Sequence, residues 1–160
     1  GEEMTTAIGQ GDTLATPLQM ALVASAVANG GTLMKPYYVD SISTYDGDKV
    51  KTFKPSSYAT VMSADEAETI GNYMITTVQS GTASALSGAS YTAAGKTGSA
   101  EYDTASGERG THSWFVGYTN VDNPELAIAV IAEDGGSGSS TAVPIAKYIF
   151  DTYYQNKYGY

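Results

Sequence analysis

From Leu18 to Ala28 the chain is apolar at almost every position, without a polar stripe of helical period. Such a segment predicts a helix buried all round. Thr16-Pro17-Leu18-Gln19 marks its start as a capping box with proline at the first helical position, and Asn29-Gly30-Gly31 marks its end. Extended segments are expected around Lys35–Ser43 and Lys49–Phe53, on either side of the turn signal Asp46-Gly47-Asp48. A second helix should open at Ser63, where Ser63-Ala64-Asp65-Glu66 is another capping box, and should stop at Ser80-Gly81. Its apolar positions Ala67, Ile70, Met74, Ile75 and Val78 form one stripe, so it packs one face and exposes the other.

The second half of the chain reads differently. Ala94–Ala100, Ser113–Tyr118 and Leu126–Glu133 are expected strands, and Asp122-Asn123-Pro124 joins the last two as an antiparallel hairpin. The third strand is apolar in both alternating sets, which predicts cover on both faces, and one set is nearly all alanine, which lets a helix approach closely. Gly135–Ser140 reads as a flexible loop. A closing helix runs from about Ala142 to Tyr154, with Ile145, Tyr148, Ile149 and Thr152 on its apolar stripe. The order helix, strands, helix, three strands, helix predicts an α+β fold in which an antiparallel sheet of the three C-terminal strands packs with helices.

A length of 160 residues suits one domain with a core. The net charge of −9 disfavours a nucleic-acid partner, because a phosphate backbone needs a basic footprint. With no cysteine and a single histidine, His112, thiolate and His-rich metal sites are excluded, and no metal or cofactor is expected. No run approaches a membrane span, and Gly1-Glu2-Glu3-Met4 is not a signal peptide.

The chemistry concentrates in Gly95-Lys96-Thr97-Gly98-Ser99-Ala100-Glu101. A lone Lys-Thr-Gly tripeptide is a weak signal and by itself reads as a surface strand with a solvated lysine. Here it accompanies Ile8-Gly9-Gln10-Gly11, Ala15-Thr16-Pro17-Leu18-Gln19-Met20-Ala21, Ala28-Asn29-Gly30-Gly31 with Lys35-Pro36, Gly81-Thr82-Ala83, and Trp114-Phe115-Val116-Gly117-Tyr118. In these segments and their order the chain resembles the penicillin-binding proteins of the monofunctional (class B) group, over essentially its whole length. The resemblance implies a fold of the penicillin-binding-protein and serine β-lactamase kind. It also implies a D,D-transpeptidase that crosslinks peptidoglycan stem peptides through an acyl-serine and binds β-lactams.

On that resemblance Lys96 is catalytic and places the substrate carboxylate, and the hydroxyl of Thr97 donates to the same carboxylate. Gly98 lets substrate lie close along the strand, and the backbone N–H of Ser99 forms half of the oxyanion hole. The substrate adds as a further strand on this edge. No serine has lysine three residues on or asparagine two residues on, so the nucleophile and middle motif of the family are absent. Residues 1–160 are therefore expected to be the C-terminal part of a transpeptidase domain, inactive alone. The parent is expected on the extracytoplasmic face of a bacterial membrane, held by an N-terminal anchor not included here.

Expected partners are the D-alanyl-D-alanine stem peptide and β-lactams. A polytopic glycosyltransferase is an expected partner of the parent, and the truncated piece is expected to self-associate through uncovered apolar faces. A related serine β-lactamase and a non-enzymatic β-lactam sensor domain are the competing readings. Among the remaining residues, His112 reads as a structural histidine at a strand entrance and Glu101 as either a cleft border or a solvated strand end. Trp114 and Phe115 read as core, Glu133-Asp134 as a strand end, and Tyr153, Tyr154, Tyr158 and Tyr160 as helix packing and a frayed tail.

Overall fold

The computed structural model describes residues 6, 9–11, 13–104 and 106–159. Of the segments singled out above, Gly1–Met4, Ile8 and Tyr160 lie outside the described residues. The first helix, α1, spans Pro17–Ala28, followed by β1 (Thr32–Met34), β2 (Ser41–Ser43), β3 (Lys49–Thr52) and β4 (Ser57–Thr60). Helix α2 (Ala64–Ser80) leads through a short 3-10 turn at Ser84–Leu86 to β5 (Ala93–Asp103), β6 (Arg109–Thr119) and β7 (Leu126–Ala132). A π-type turn at Gly138–Ala142 then feeds α3 (Val143–Tyr158).

Both expected capping boxes form. Thr16 accepts from the Gln19 N–H at 3.2 Å while the Gln19 side chain accepts from the Thr16 N–H at 2.8 Å. Ser63 and Glu66 do the same at 3.2 and 2.8 Å. These pairs satisfy amide donors that a helix start leaves without partners.

Strands β5, β6 and β7 form one antiparallel sheet in that order, with β5 and β6 in unbroken register from Ala93–Thr119 to Asp103–Arg109. The sheet has two covered faces. On one, Ala93, Phe115 and Val130 meet Val143, Ala146, Phe150 and Tyr154 of α3, together with Val78, Leu86 and Tyr91. On the other, Ala94 and Tyr118 meet Val27 of α1 and Met74 of α2, with Ala127 packed against them. The alanine set of β7 does lie under a helix, α1. Outside this sandwich stand two small antiparallel pairs, β1 with β4 and β2 with β3. The second is the hairpin expected around Asp46–Asp48. The first joins strands that lack alternation and lie far apart in sequence.

Three expectations about packing are corrected. Helix α1 is not buried all round: Ala24, Ala26 and Val27 are buried, whereas Leu18 is 60% and Val23 49% exposed. Helix α3 turns the opposite stripe inward. Val143, Ala146, Phe150 and Tyr154 are buried, while Ile145, Tyr148 and Ile149 face out. Ala146 accounts for the choice, since a small residue at the crossing brings the helix axis close enough for Phe150 and Tyr154 to reach the core. In α2 the stripe holds at Ala67, Met74 and Val78, but Gly71 takes the place expected for Ile70.

Gly135–Ser140 is pinned rather than flexible. The Ser113 hydroxyl donates to the Ser137 carbonyl at 2.8 Å and accepts from the Ala142 N–H at 3.0 Å, and Thr141 donates to the Gly135 carbonyl. Gly138 is buried so closely that an added Cβ would stand 2.6 Å from the Trp114 carbonyl oxygen and 2.7 Å from that of Gly98.

Candidate active site

Strand β5 is an edge strand, and its residues change character midway. Ala93, Ala94 and Gly95 are buried, and from Lys96 onward the strand emerges. The Lys-Thr-Gly segment therefore sits where the sheet leaves the core. Alongside lies a cleft of about 400 Å³ whose walls include Gln10, Met20, Lys96, Gly98, Trp114 and Val116. Thr97 and Ser99 also line it.

Each motif residue has a definite anchor. The Lys96 ammonium donates to the Thr97 carbonyl at 2.7 Å, which holds the charge at the strand edge. The Thr97 hydroxyl lies 2.6 Å from that of Thr82, just beyond the Gly81 cap of α2. Gly98 lies opposite Trp114, and any Cβ there would stand 3.1 Å from the Trp114 Cβ. From behind, the Gly138 N–H donates to the Ser99 hydroxyl at 3.3 Å. The Gln10 side-chain amide donates to the Ser99 carbonyl at 2.9 Å. A strand residue points its N–H and C=O to the same side, so the Ser99 N–H also faces this open edge.

The structure thus brings together Lys96, Thr97, Gly98 and Ser99, and adds three residues to which the sequence assigned no site role. Thr82 and Gln10 belong to segments that carry the family resemblance, but only the fold shows what they touch. Trp114 was expected in the core. It is half-buried and walls the cleft, whereas its neighbour Phe115 is fully buried on the opposite face, as strand alternation requires.

Other candidates fall away from the cleft. Glu101 pairs with Arg109 at 2.8 Å, with both side chains largely exposed. His112 stacks on Tyr102 with ring centres 4.3 Å apart, and its Nδ1 accepts from the Asp134 N–H at 3.2 Å. It does not line the cleft, in keeping with a structural histidine. Asp134 also accepts from the Tyr102 hydroxyl, a bond that pushes the phenol above its ordinary pKa. Among the described residues, no three His, Asp or Glu side chains converge in a way that would hold a metal ion.

The largest pKa shifts lie behind the sheet. Burial, then the hydrogen bond to Asp151 at 2.8 Å, raises the Tyr91 phenol far above its usual value. Tyr154 stacks on Tyr91 and Tyr158 on Tyr154, so these two tyrosines are held by ring contacts at the end of α3. Hydrogen bonds from Lys157, at 2.6 Å, and then from Tyr158 hold the Glu125 carboxyl below its ordinary range.

Residues 2–151 match the family model described as the penicillin binding protein transpeptidase domain. The chain belongs to this family. It is 35% identical to the peptidoglycan D,D-transpeptidase PbpA of Mycolicibacterium smegmatis over 88% of its own length and 29% of that protein. Identity to the peptidoglycan D,D-transpeptidase MrdA of Haemophilus influenzae is 34%, over 98% of this chain and 26% of that one. Among solved structures, the D,D-transpeptidase domain of a peptidoglycan glycosyltransferase from Eggerthella lenta superposes with a TM-score of 0.81 at 34% identity. That likeness covers 91% of this chain and 33% of the other. Penicillin-binding protein A of M. tuberculosis, as its ceftriaxone acyl-enzyme, gives a TM-score of 0.84 at 27% identity, covering 92% and 34%. The chain therefore spans about a quarter to a third of the length of these relatives. The transpeptidase match spans every residue placed around the cleft, from Gln10 to Gly138.

Proposed function

We propose that these 160 residues form the C-terminal part of a peptidoglycan D,D-transpeptidase domain and supply the substrate-aligning wall of its active site. The reading rests on one arrangement: Lys96, Thr97, Gly98 and Ser99 line up along an open strand edge at the mouth of a cleft, each with its own anchor. A D-alanyl-D-alanine peptide adds to this edge as a strand. The Lys96 ammonium and the Thr97 hydroxyl, oriented by Thr82, take its terminal carboxylate. Gly98 leaves room for the backbone, and the Ser99 N–H receives the oxygen that becomes negative as the carbonyl is attacked.

The attacking serine comes from a part of the protein outside these residues. Its oxygen bonds to the penultimate carbonyl carbon and the terminal D-alanine departs with the serine's proton on its nitrogen. An amine of a neighbouring stem peptide then bonds to the same carbon, the ester bond breaks, and the amine's proton returns to the serine oxygen. A β-lactam enters by the same first step and leaves the serine acylated. The chain alone has no such serine and is inactive. The parent works at the outer face of the bacterial membrane, anchored through another segment. No helix among the described residues is long and apolar enough to cross a membrane. A polytopic glycosyltransferase as working partner, and self-association of the isolated piece, belong to the same reading.

Lys96 gives the decisive test in the natural-length protein. Removing a charged hydrogen-bonding group should slow acylation by a chromogenic β-lactam about 10- to 100-fold for Lys96→Ala. Lys96→Arg should also lose rate, because a planar guanidinium does not replace a compact ammonium. Stopped-flow rates beside circular dichroism separate this from unfolding. Near-normal acylation in Lys96→Ala would remove the residue from the site. The 160-residue chain alone should give no penicillin adduct that survives boiling.

A further inference from the structure

We propose that the β2–β3 arm with its flanks, residues 35–58, binds a sugar polymer bearing spaced carboxylates, and so holds uncrosslinked peptidoglycan strands beside the enzyme. None of these residues lines the cleft. Only the choice of peptidoglycan among such polymers rests on the transpeptidase reading. The chain divides its eight lysines and arginines into two sets. Four are tied to the protein itself: Arg109 pairs with Glu101, Lys147 with Asp151 and Lys157 with Glu125, and Lys96 donates to the Thr97 carbonyl. The other four, Lys35, Lys49, Lys51 and Lys54, all lie on the arm. They are exposed and have no carboxylate partner among the described residues. Lys51 rests on the Phe53 ring at 4.6 Å.

Tyrosines accompany these lysines. Tyr38 and Tyr45 are wholly exposed, and Tyr58 is largely so. Strand β3 is exposed at all four positions, so the hairpin buries neither face and gains little stability from its side chains. The tip is nevertheless ordered. The Thr44 N–H donates to the Asp48 carbonyl at 2.9 Å, and the Thr44 hydroxyl accepts from the Asp48 N–H at 3.1 Å. Lys49 and Lys51 stand on one side of β3, with Ile42 facing Lys51 across the pair. Ammonium groups and phenol rings are thus offered to solvent from a defined frame.

Charge selects the partner. On the arm four lysines outnumber three aspartates, Asp40, Asp46 and Asp48, which leaves a net −10 for the rest of a chain whose total is −9. Anionic lipid surfaces and phosphate-dense polymers need unbroken positive charge, and the aspartates and acidic body repel them. A protein partner needs about 800 Å² on each side, whereas four strand residues reach only about 13 Å. A sugar polymer suits the mixture. Its C–H faces lie on phenol rings, its hydroxyls donate to the aspartates, and its spaced carboxylates pair with the lysines.

Cosedimentation of the natural-length protein with purified peptidoglycan sacculi tests this. The cleft is first blocked with penicillin, so that peptide ends held there do not count. The native protein should pellet with the sacculi. Tyr38→Ala/Tyr45→Ala should weaken that binding by about tenfold or more, as two lost ring contacts of about three- to tenfold each would. Lys49→Gln/Lys51→Gln should weaken it about three- to tenfold. Tyr45→Phe, which keeps the ring, should bind as the native protein does. Circular dichroism and acylation by fluorescent penicillin should be unchanged in every variant.

A native protein that stays in solution overturns the proposal, and so does full pelleting of the double tyrosine variant. Arm-dependent binding to phosphatidylglycerol vesicles without binding to sacculi also overturns it, since the arm would then be a membrane contact. A native protein that takes no penicillin sinks the transpeptidase reading instead. Sedimentation without the blocking step then still decides the arm.

Discussion

The two faces of the β5–β7 sheet are built from the same three strands, yet they do opposite things. Against α3 the sheet is closed. Phe115 and Phe150 are fully buried, Tyr91 and Tyr154 stack at 4.8 Å, and the Tyr154 hydroxyl donates to buried Thr119 at 3.0 Å. Against α1 the cover is mostly small, with Ala24, Ala26, Val27 and Ala94, and it ends before Gly98 and Trp114, where the cleft opens. Bulk on one side allows vacancy on the other. The closed face holds the edge strand still while the open face leaves its motif accessible.

The comparison can be broken most forcefully from the closed side. Phe150→Ala should cost about 3–5 kcal/mol, the range for deleting a buried aromatic ring, read as a lower denaturant midpoint. Lys96→Ala on the open side should shift the same midpoint by less than about 1 kcal/mol, as expected of an exposed charge. A similar cost for both would mean the faces are not distinct.

Gly138 links the two, because it lies between the packed turn before α3 and the backbone of Gly98. Gly138→Ala should destabilise by about 1–3 kcal/mol through overpacking. In the natural-length protein it should also slow acylation in the molecules that remain folded. A stability loss without a rate loss would show that the support is not transmitted to the motif.

Thr82→Val sharpens the comparison on the open side. The change keeps the β-branched shape and removes the hydroxyl that meets Thr97. Acylation should fall about five- to tenfold, in line with one ordinary hydrogen bond, with little change in melting temperature. An unchanged rate would show that Thr97 orients itself.

The smallest effect concerns pH at the far end of the sheet. Glu125 is held below its ordinary value of 4.5 by Lys157 and Tyr158. A carboxylate depressed in the folded state adds stability above its unfolded pKa, and that contribution disappears as pH falls through the folded value. Melting temperature should therefore drop more between neutral pH and pH 3 for the native chain than for Glu125→Gln. Parallel curves would show that this surface group carries no linkage.

What could be read without the fold follows the same division between local and distant. The capping boxes at Thr16 and Ser63 need only four consecutive residues, so they were legible. The Lys96–Ser99 motif was legible by resemblance, together with the strand that carries it. The inward stripe of α3 was not, because Ile145, Tyr148 and Ile149 satisfy helical spacing as well as Val143, Ala146, Phe150 and Tyr154 do. Only the close approach at Ala146 decides between them. The β1–β4 pair was missed for a related reason: short strands without alternation take their pairing from distant partners. Thr82 and Gln10 sat in recognised segments, but a hydroxyl aimed at Thr97 and an amide aimed at Ser99 are facts of tertiary geometry. Trp114 was misplaced because a tryptophan walling a cleft and one filling a core look alike in a strand.

The β2–β3 hairpin has a consequence of another kind. It stands outside the sandwich with Tyr45 wholly exposed at its turn, and among the described residues its strands pair only with each other. Loop closure grows slowly with length, each doubling costing about 0.6 kcal/mol, so insertions at Asp46–Asp48 are inexpensive. Relatives can lengthen, trim or recompose this arm without disturbing Lys96 or its supports. Divergence within the family can accumulate there while the chemistry stays fixed, and a reporter domain spliced into the same turn should leave the cleft as it is.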